Sequence, residues 1–353
     1  GLGNRAELTL RMEPFEVPRG KKRLFADPRA SLKISLLDEG KGGGERKVPS
    51  FFLQTVPLRI EGAGLVSARN KTSFLELQGQ VTPDFTALAP LLAPVIGREV
   101  MVSGNRPAEF LLSLPLSLPL KREQMTFTVQ LPLESLRFQG IGLRQLTLPV
   151  DVNRGKLRLS IDSQLDGGRA ALEPSWDLGA HQTVVTLTPG TQLLKDVPLK
   201  PPLVDGLLGR LHPLFGVLAQ PQGLVDLRVD SFSAPVLEKG PQQPVFTVAV
   251  ALDRIKFKPT GGLREMLDLD GYDQAWLRCK EREVICEGKD GRVSCGPVHL
   301  LAGEAEFGLR GAMHPGGSLQ YQVRLPVSKQ LADKVQLVVH ADVTVEAEIG
   351  GTR

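Results

Sequence analysis

Strict alternation of apolar and polar residues constrains this chain more than any other feature. Val225, Leu227 and Val229 fall on one side of Gly223–Ser231, with Asp226, Arg228 and Asp230 on the other. Leu157, Leu159 and Ile161 alternate with Lys156, Arg158, Ser160 and Asp162. Phe127, Val129, Leu131 and Leu133 keep the same period, and so do Val343, Val345, Ala347 and Ile349 against Thr344, Glu346 and Glu348. Side chains of a strand point to opposite faces in turn, so each segment predicts a strand with one apolar and one polar face. Gly, Pro and an Asn-Arg-Gly turn separate the segments. Parallel strands would be apolar on both faces, so the pattern predicts antiparallel sheet.

Composition supports a folded β protein. The 353 residues leave room for two domains or one elongated one. Gly (37) and Pro (27) are plentiful but spread out, which reads as frequent turns. With 41% apolar residues and no period typical of fibres, collagen, coiled coil and disorder are excluded. The net charge of +4 permits an anionic partner. The basic residues are scattered, with Arg19-Gly-Lys21-Lys22-Arg23 the only tight cluster, and aromatics are 5%. Stacking platforms need more rings, so no nucleic-acid partner is expected. No segment reaches the roughly 20 apolar residues of a spanning helix. The chain starts at Gly1 and ends at Gly350-Gly-Thr-Arg353, and the expectation is a fragment of a longer protein.

Helical signal is sparse. Ala87–Ile96 and Val204–Ala219 are apolar runs with internal Pro, each fitting one short, broken helix. A weaker candidate is Ser328–Lys334. Phe127–Phe138 (FTVQLPLESLRF) and Phe246–Phe257 (FTVAVALDRIKF) share five identical and four conservative positions of twelve, at an offset of 119. The same offset carries Leu92–Gly97 onto Leu211–Gly216. Gly-Leu-Arg follows each strand pair, at Gly142–Arg144 and Gly262–Arg264. The pattern predicts a tandem repeat of one short apolar helix followed by amphipathic strands. It is either a duplicated domain with two cores or one stacked sheet that needs its neighbours to bury its face.

Motifs for chemistry are absent or weak. Gly1-Leu-Gly3-Asn-Arg-Ala6 follows no strand, so it is a poor dinucleotide turn. Gly40–Gly44 lacks the ending of a phosphate loop and reads as a hairpin tip. Asp268-Leu-Asp270-Gly-Tyr-Asp273 lacks the glycine and glutamate positions of a calcium loop. His181, His212, His299, His314 and His340 show no metal-ligand spacing, and His212 reads as a packing residue. No nucleophile elbow occurs. The expectation is a non-enzymatic protein with no metal and no cofactor. Cys279, Cys286 and Cys295 form no CxxC pair, which leaves zinc unsupported. One disulfide among the three is expected across a hairpin, with the pairing open.

Too little helix is available to cover a long sheet. Either the sheet closes or sandwiches on itself, or its apolar face forms a groove. A lining of Leu, Val and Ile suits acyl chains better than flat rings. The candidate groove residues are Phe127, Val129, Leu131, Leu157, Leu159, Ile161, Val225, Leu227, Val229, Phe246, Val248 and Val250. The two strands of the repeat should present their apolar sets the same way, with Thr128, Gln130 and Thr247 outward. A filled sandwich core acting as an envelope scaffold is the alternative. A carrier with one long wrapped helix fits poorly, because the helices are short.

Three segments resemble the AsmA-like superfamily of bacterial envelope proteins: Leu211–Val236, Phe307–Val327 and the ending Val345–Thr352. The resemblance covers the C-terminal half, and the repeat extends it back to about Leu88. It implies a mainly β fold, an elongated twisted antiparallel β-groove (β-taco-like) built from tandem repeats. The division implied is a β-rich segment 1–85, a first repeat 86–200 and a second repeat 201–353. The Cys-bearing segment Trp276–Cys295 is expected to be an insertion in the second repeat. The resemblance also implies a periplasmic position, an inner-membrane anchor outside this sequence, and phospholipid or another acyl lipid as partner. Its implied role is lipid transport between the two membranes of a diderm bacterium.

Overall fold

The structure is a computed structural model of the chain. It describes residues 4–12, 15–19, 22–27, 30–38, 45–69, 72–89, 100–117, 119–165, 167–178, 183–212, 215, 219–236, 243–260, 264, 267–268, 276–303, 305–315, 318–326 and 344–352. The helix expected at Ser328–Lys334, the Gly40–Gly44 tip, Leu92–Gly97, His181 and His340 lie outside them.

Strand dominates, as the alternation requires. In the N-terminal part the strands are β1 (Asn4–Met12), β2 (Phe15–Arg19), β3 (Lys22–Asp27), β4 (Ala30–Asp38), β5 (Arg46–Gln54), β6 (Leu58–Arg69) and β7 (Thr72–Pro83). Next come β8 (Met101–Ser103), β9 (Ala108–Pro115), β10 (Thr126–Phe138), β11 (Ile141–Asn153), β12 (Lys156–Leu159) and β13 (Ile161–Leu165). The middle holds β14 (Gly168–Leu172), β15 (Pro174–Asp177), β16 (Thr183–Leu187), β17 (Thr191–Pro198) and β18 (Ala219–Val236). The C-terminal part holds β19 (Val245–Lys258), β20 (Leu277–Cys279), β21 (Glu283–Lys289), β22 (Arg292–Ala302), β23 (Ala305–Met313), β24 (Ser318–Pro326) and β25 (Thr344–Thr352). Twenty-three form one sheet, and β2 pairs with β3 apart from it.

The sheet is an antiparallel meander. β1 pairs with β4, and β4 through β7 then follow one another. β7 pairs with β9, which lies with β8 along β10. β10, β11 and β12 continue the order. Three strands are interrupted once each: β12 runs into β13, β14 into β15, and β16 into β17. The alternation over Leu157–Ile161 predicted one unbroken strand, but Ser160 breaks it. The pairing register is nevertheless continuous, with Leu157 opposite Trp176 and Ile161 opposite Leu172. β18 pairs with both β16 and β17, and β19 to β25 complete the sheet. Boundaries at 85/86 and 200/201 do not interrupt it, since β7 pairs with β9 and β17 with β18.

Tight turns hold the register. Gln139-Gly140, Arg154-Gly155 and Asp290-Gly291 all have positive φ at both positions. That is the turn whose twist matches the flanking strands. The β10–β11–β12 unit and the β19–β20/β21–β22 unit are paired alike. Phe138 faces Ile141, and Phe257 faces Leu277. Asn153 faces Lys156, and Lys289 faces Arg292. Segment 276–295 holds β20, β21 and the first residues of β22, all paired within the sheet. The Gly-Leu-Arg match dissolves: Arg144 lies in β11, whereas Arg264 is helical and bridges Asp268 at 2.7 Å.

Among the described residues helix is confined to short turns. Asp84 caps the turn Phe85–Ala89 by accepting N–H bonds from Thr86 and Ala87 at 2.9 and 3.1 Å. The second helical segment is Pro201–Leu211, with a wider turn over Val204–Leu208. It starts earlier than the apolar run suggested, because Pro201 and Pro202 fit a first turn that needs no N–H. It ends at Leu211 because His212 is extended at φ −146, ψ 122, as a residue before proline must be.

Two apolar cores result. The larger packs Leu199, Leu203, Val204, Leu208, Leu211 and Phe215 against β10, β11 and β17 through β23. Leu194, Leu208, Val225, Val250, Leu277 and Leu300 are fully buried there. Truncating one such leucine to alanine would cost about 2–5 kcal/mol. The smaller core holds Val48, Leu77, Val81, Ala108, Phe110 and Val129, ringed by half-buried side chains.

Candidate functional site

One face of the sheet carries an unbroken apolar ladder. Reading across nine strands, Leu8 faces Ile34, Ile34 faces Phe51, and Phe51 faces Gly62. Gly62 faces Gly79, which faces Phe110, then Val129, Val150 and Leu159. Directly opposed residues share a face, so this is one stripe. The other face carries Thr128 and Gln130 exposed and Thr247 half-buried, with Leu111 exposed opposite Thr128.

The β6 and β7 backbones approach closely at the glycines of the stripe. A Cβ on Gly62 would lie 2.3 Å from the Gln78 carbonyl oxygen, and one on Gly79 would lie 2.0 Å from that of Glu61. A Cβ on Gly64 would meet the Glu76 carbonyl oxygen at 1.8 Å. Only glycine lets the β6 and β7 backbones come this close. Phe51 and Phe110 stand on either side of the pair. Phe110 also meets Phe127, with ring centroids 6.2 Å apart.

Coverage differs along the stripe. Val129 is 4% exposed, while Ile34, Phe51, Phe127, Leu131, Val150, Leu157 and Leu159 are half-buried and Leu8 is exposed. Leu131 packs against both cores. Leu157 and Leu159 belong to neither. Ile161 and Phe246 are half-buried against the larger core, and the Phe246 ring lies over Gly288. Val225, Leu227, Val229, Val248 and Val250 are at most 5% exposed. They pack inside the larger core, under the Pro201–Leu211 segment. The predicted lining is thus brought onto one face but divided between a half-buried part and a filled core.

Sequence reasoning missed the N-terminal wall, Ile34, Phe51, Phe110 and Val150. Alternation of Leu32, Ile34 and Leu36, and of Leu146, Leu148, Val150 and Val152, carried the signal. Two concavities of about 600 Å³ open elsewhere, walled by Glu287, Arg292, Arg310 and Gln322, and by Arg59, Asp84, Asn105 and Glu134. Both mix polar and apolar lining, and neither is lined by residues of the stripe.

Cys286 and Cys295 form a disulfide between β21 and β22. Cys279 is not bonded to either. Burial, with Glu281 beside it, pushes its thiol up to about 12. Such a thiol stays protonated and is a poor nucleophile. Glu281 is held by His299, accepting the backbone N–H at 2.6 Å and pairing with Nδ1. Among the described residues no three metal-binding side chains converge. No described helix is long and apolar enough to cross a membrane.

Comparison with family models, with curated proteins and with solved structures returns no match.

Proposed function

We propose that this chain is a lipid-binding module that holds acyl chains along the trough of its N-terminal half. The observation that carries this reading is the ladder from Leu8 to Leu159, apolar or glycine in nine successive strands and half-covered over much of its length. Each methylene removed from water there contributes about 0.8 kcal/mol, and no polar site is needed. A flexible chain of methylenes suits Leu, Ile, Val and Phe walls.

The larger core supports a scaffold role for the other half, since Val225, Leu227 and Val250 are filled in by the chain itself. We read the two β-units, each preceded by a helical turn, as copies of one ancestral unit. In this reading the first copy opens onto the trough and the second is plugged. The Cys286–Cys295 bond supports an oxidising compartment. With the resemblance to AsmA-like proteins, that favours the periplasm of a diderm bacterium and phospholipid as the ligand.

Native mass spectrometry of the purified chain tests the proposal. The expected result is co-purified phospholipid that Leu159→Asp removes without loss of folding. Lipid-free protein, from cells and after incubation with phospholipid, would reject it.

A further inference from the structure

The outer face at the end of β19 carries cations that the described protein does not neutralise. The Lys256 and Lys258 ammonium groups lie over the same ring, that of Trp276, at 5.2 and 5.5 Å from its centroid. Lys256 stands directly opposite Arg278 across the β19–β20 pair. Like charges opposed in this way weaken a sheet. The next neighbours outward are neutral: Gln222 faces Lys256 on one side, and Leu301 faces Arg278 on the other. Nearby acids are already engaged, Glu306 by Lys280 at 2.6 Å and Asp253 by Arg254 at 2.9 Å. None of Lys256, Lys258 and Arg278 makes an ion pair among the described residues. Lys256 and Arg278 are exposed, and Trp276 is half-buried.

We propose that this face docks on an anionic phospholipid bilayer. The argument is charge complementarity joined to an amphipathic ring. Phosphate groups would neutralise the opposed cations that nothing in the sheet neutralises. Tryptophan favours the headgroup depth, where its indole body is sheltered and its N–H stays wet. A single ring offers no succession of stacking platforms, so a nucleic-acid strand fits less well. The proposal rests on the lipid reading in one respect: docking would bring the module to the source of its ligand.

Vesicle sedimentation tests it, using neutral phosphatidylcholine and phosphatidylcholine mixed with anionic phosphatidylglycerol. The chain should pellet with the mixed vesicles alone and be released by salt. Each cation near the surface is worth about fivefold in partitioning, so K256Q/R278Q should weaken binding roughly 25-fold. If that variant melts early, Lys258→Gln should still weaken binding about fivefold. In a Trp176→Phe background Trp276 is the sole tryptophan, and its emission should shift to the blue on mixed vesicles. Unchanged pelleting of the variants, or unmoved Trp276 emission, overturns the proposal. So does a single-stranded oligonucleotide that displaces the vesicles and shifts the emission itself. Leu159→Asp should lose co-purified lipid yet still pellet. K256Q/R278Q should keep co-purified lipid yet fail to pellet. The two readings therefore fail separately.

Discussion

Cys286 and Cys295 lie directly opposite each other on β21 and β22, with Cα atoms 4.0 Å apart, and are joined. The matching position of the first unit holds Val150 opposite Leu159. The β21–β22 contact is thus covalent where the β11–β12 contact is aliphatic, and it lies beneath the last turn of the Pro201–Leu211 segment. A Cys295 sulfur sits 3.2 Å from the Leu211 carbonyl oxygen. Closing so short a loop is worth about 2–3 kcal/mol in the chain-entropy account. Reductant should lower the melting temperature of the wild-type chain. C286V/C295L, copying the first unit, should melt near the reduced protein and ignore reductant. C286S/C295S should melt lower still, because both positions are buried. A wild-type melt indifferent to reductant would contradict this.

A second prediction concerns pH. His212 is 1% exposed at the end of the helical segment, edge-on to Phe215. Burial lowers its pKa from 6.5 to about 4. The unfolded chain therefore takes up a proton between pH 6.5 and 4 that the folded chain refuses. The stability due to the neutral buried ring is complete above pH 6.5, falls as pH drops, and is gone below 4. The change is about 3 kcal/mol across that window. Urea unfolding at pH 7.5 and 4.5 should show it, and His212→Phe should flatten the difference. An equal pH dependence in that variant would exclude His212 as the cause.

The close approach at the glycines gives a third. Gly62 and Gly79 face each other, and a Cβ on either would press into the opposite backbone. Backbone cannot swing aside as a side chain can. Gly79→Ala should therefore destabilise by about 1–3 kcal/mol, although alanine is small and the strand interior normally gains from losing glycine. Gly142→Ala is the uncrowded control, since the nearest atom to its added Cβ is a side-chain carbon of Arg137 at 4.0 Å. If Gly79→Ala were neutral in chemical denaturation, the close β6–β7 approach would be wrong.

How much of this was legible beforehand follows from what alternation encodes. Period two names the faces of β10, β18 and β19, so Val129, Val225 and Val248 could be placed on the apolar side without coordinates. It cannot say what lies over that side. Val248 is covered by packing across the larger core, whereas Leu159 is not, and both look alike in sequence. The offset of 119 paired Phe127–Phe138 with Phe246–Phe257, and both segments are strands paired on either side, β10 and β19. Ser160 breaks a strand whose apolar pattern runs straight through it. Helix limits depended on Pro201, Pro202 and the proline after His212, local signals that an apolar count overlooks.

The last prediction separates trough from core with a single substitution placed twice. Leu159 and Leu227 are both leucines on the apolar face of strands, one half-buried and one 1% exposed. An aspartate at Leu227 would sit among Leu194, Val250 and their neighbours with no partner. Leaving an unpaired charge in such a place costs about 3–5 kcal/mol or more, a large part of a domain's stability. Leu227→Asp should therefore fail to fold or melt far below the wild type. At Leu159 the carboxylate can reach water along the open trough, and the melt should shift by about 1 kcal/mol or less. Its charge would nonetheless stand where an acyl chain is proposed to lie, and the chain should purify without lipid. Each variant is read twice, by thermal melt and by native mass spectrometry. A folded Leu159→Asp protein that keeps its lipid would place the ligand elsewhere. An unfolded one would show that the N-terminal half is as closed as the C-terminal half, and would favour the scaffold.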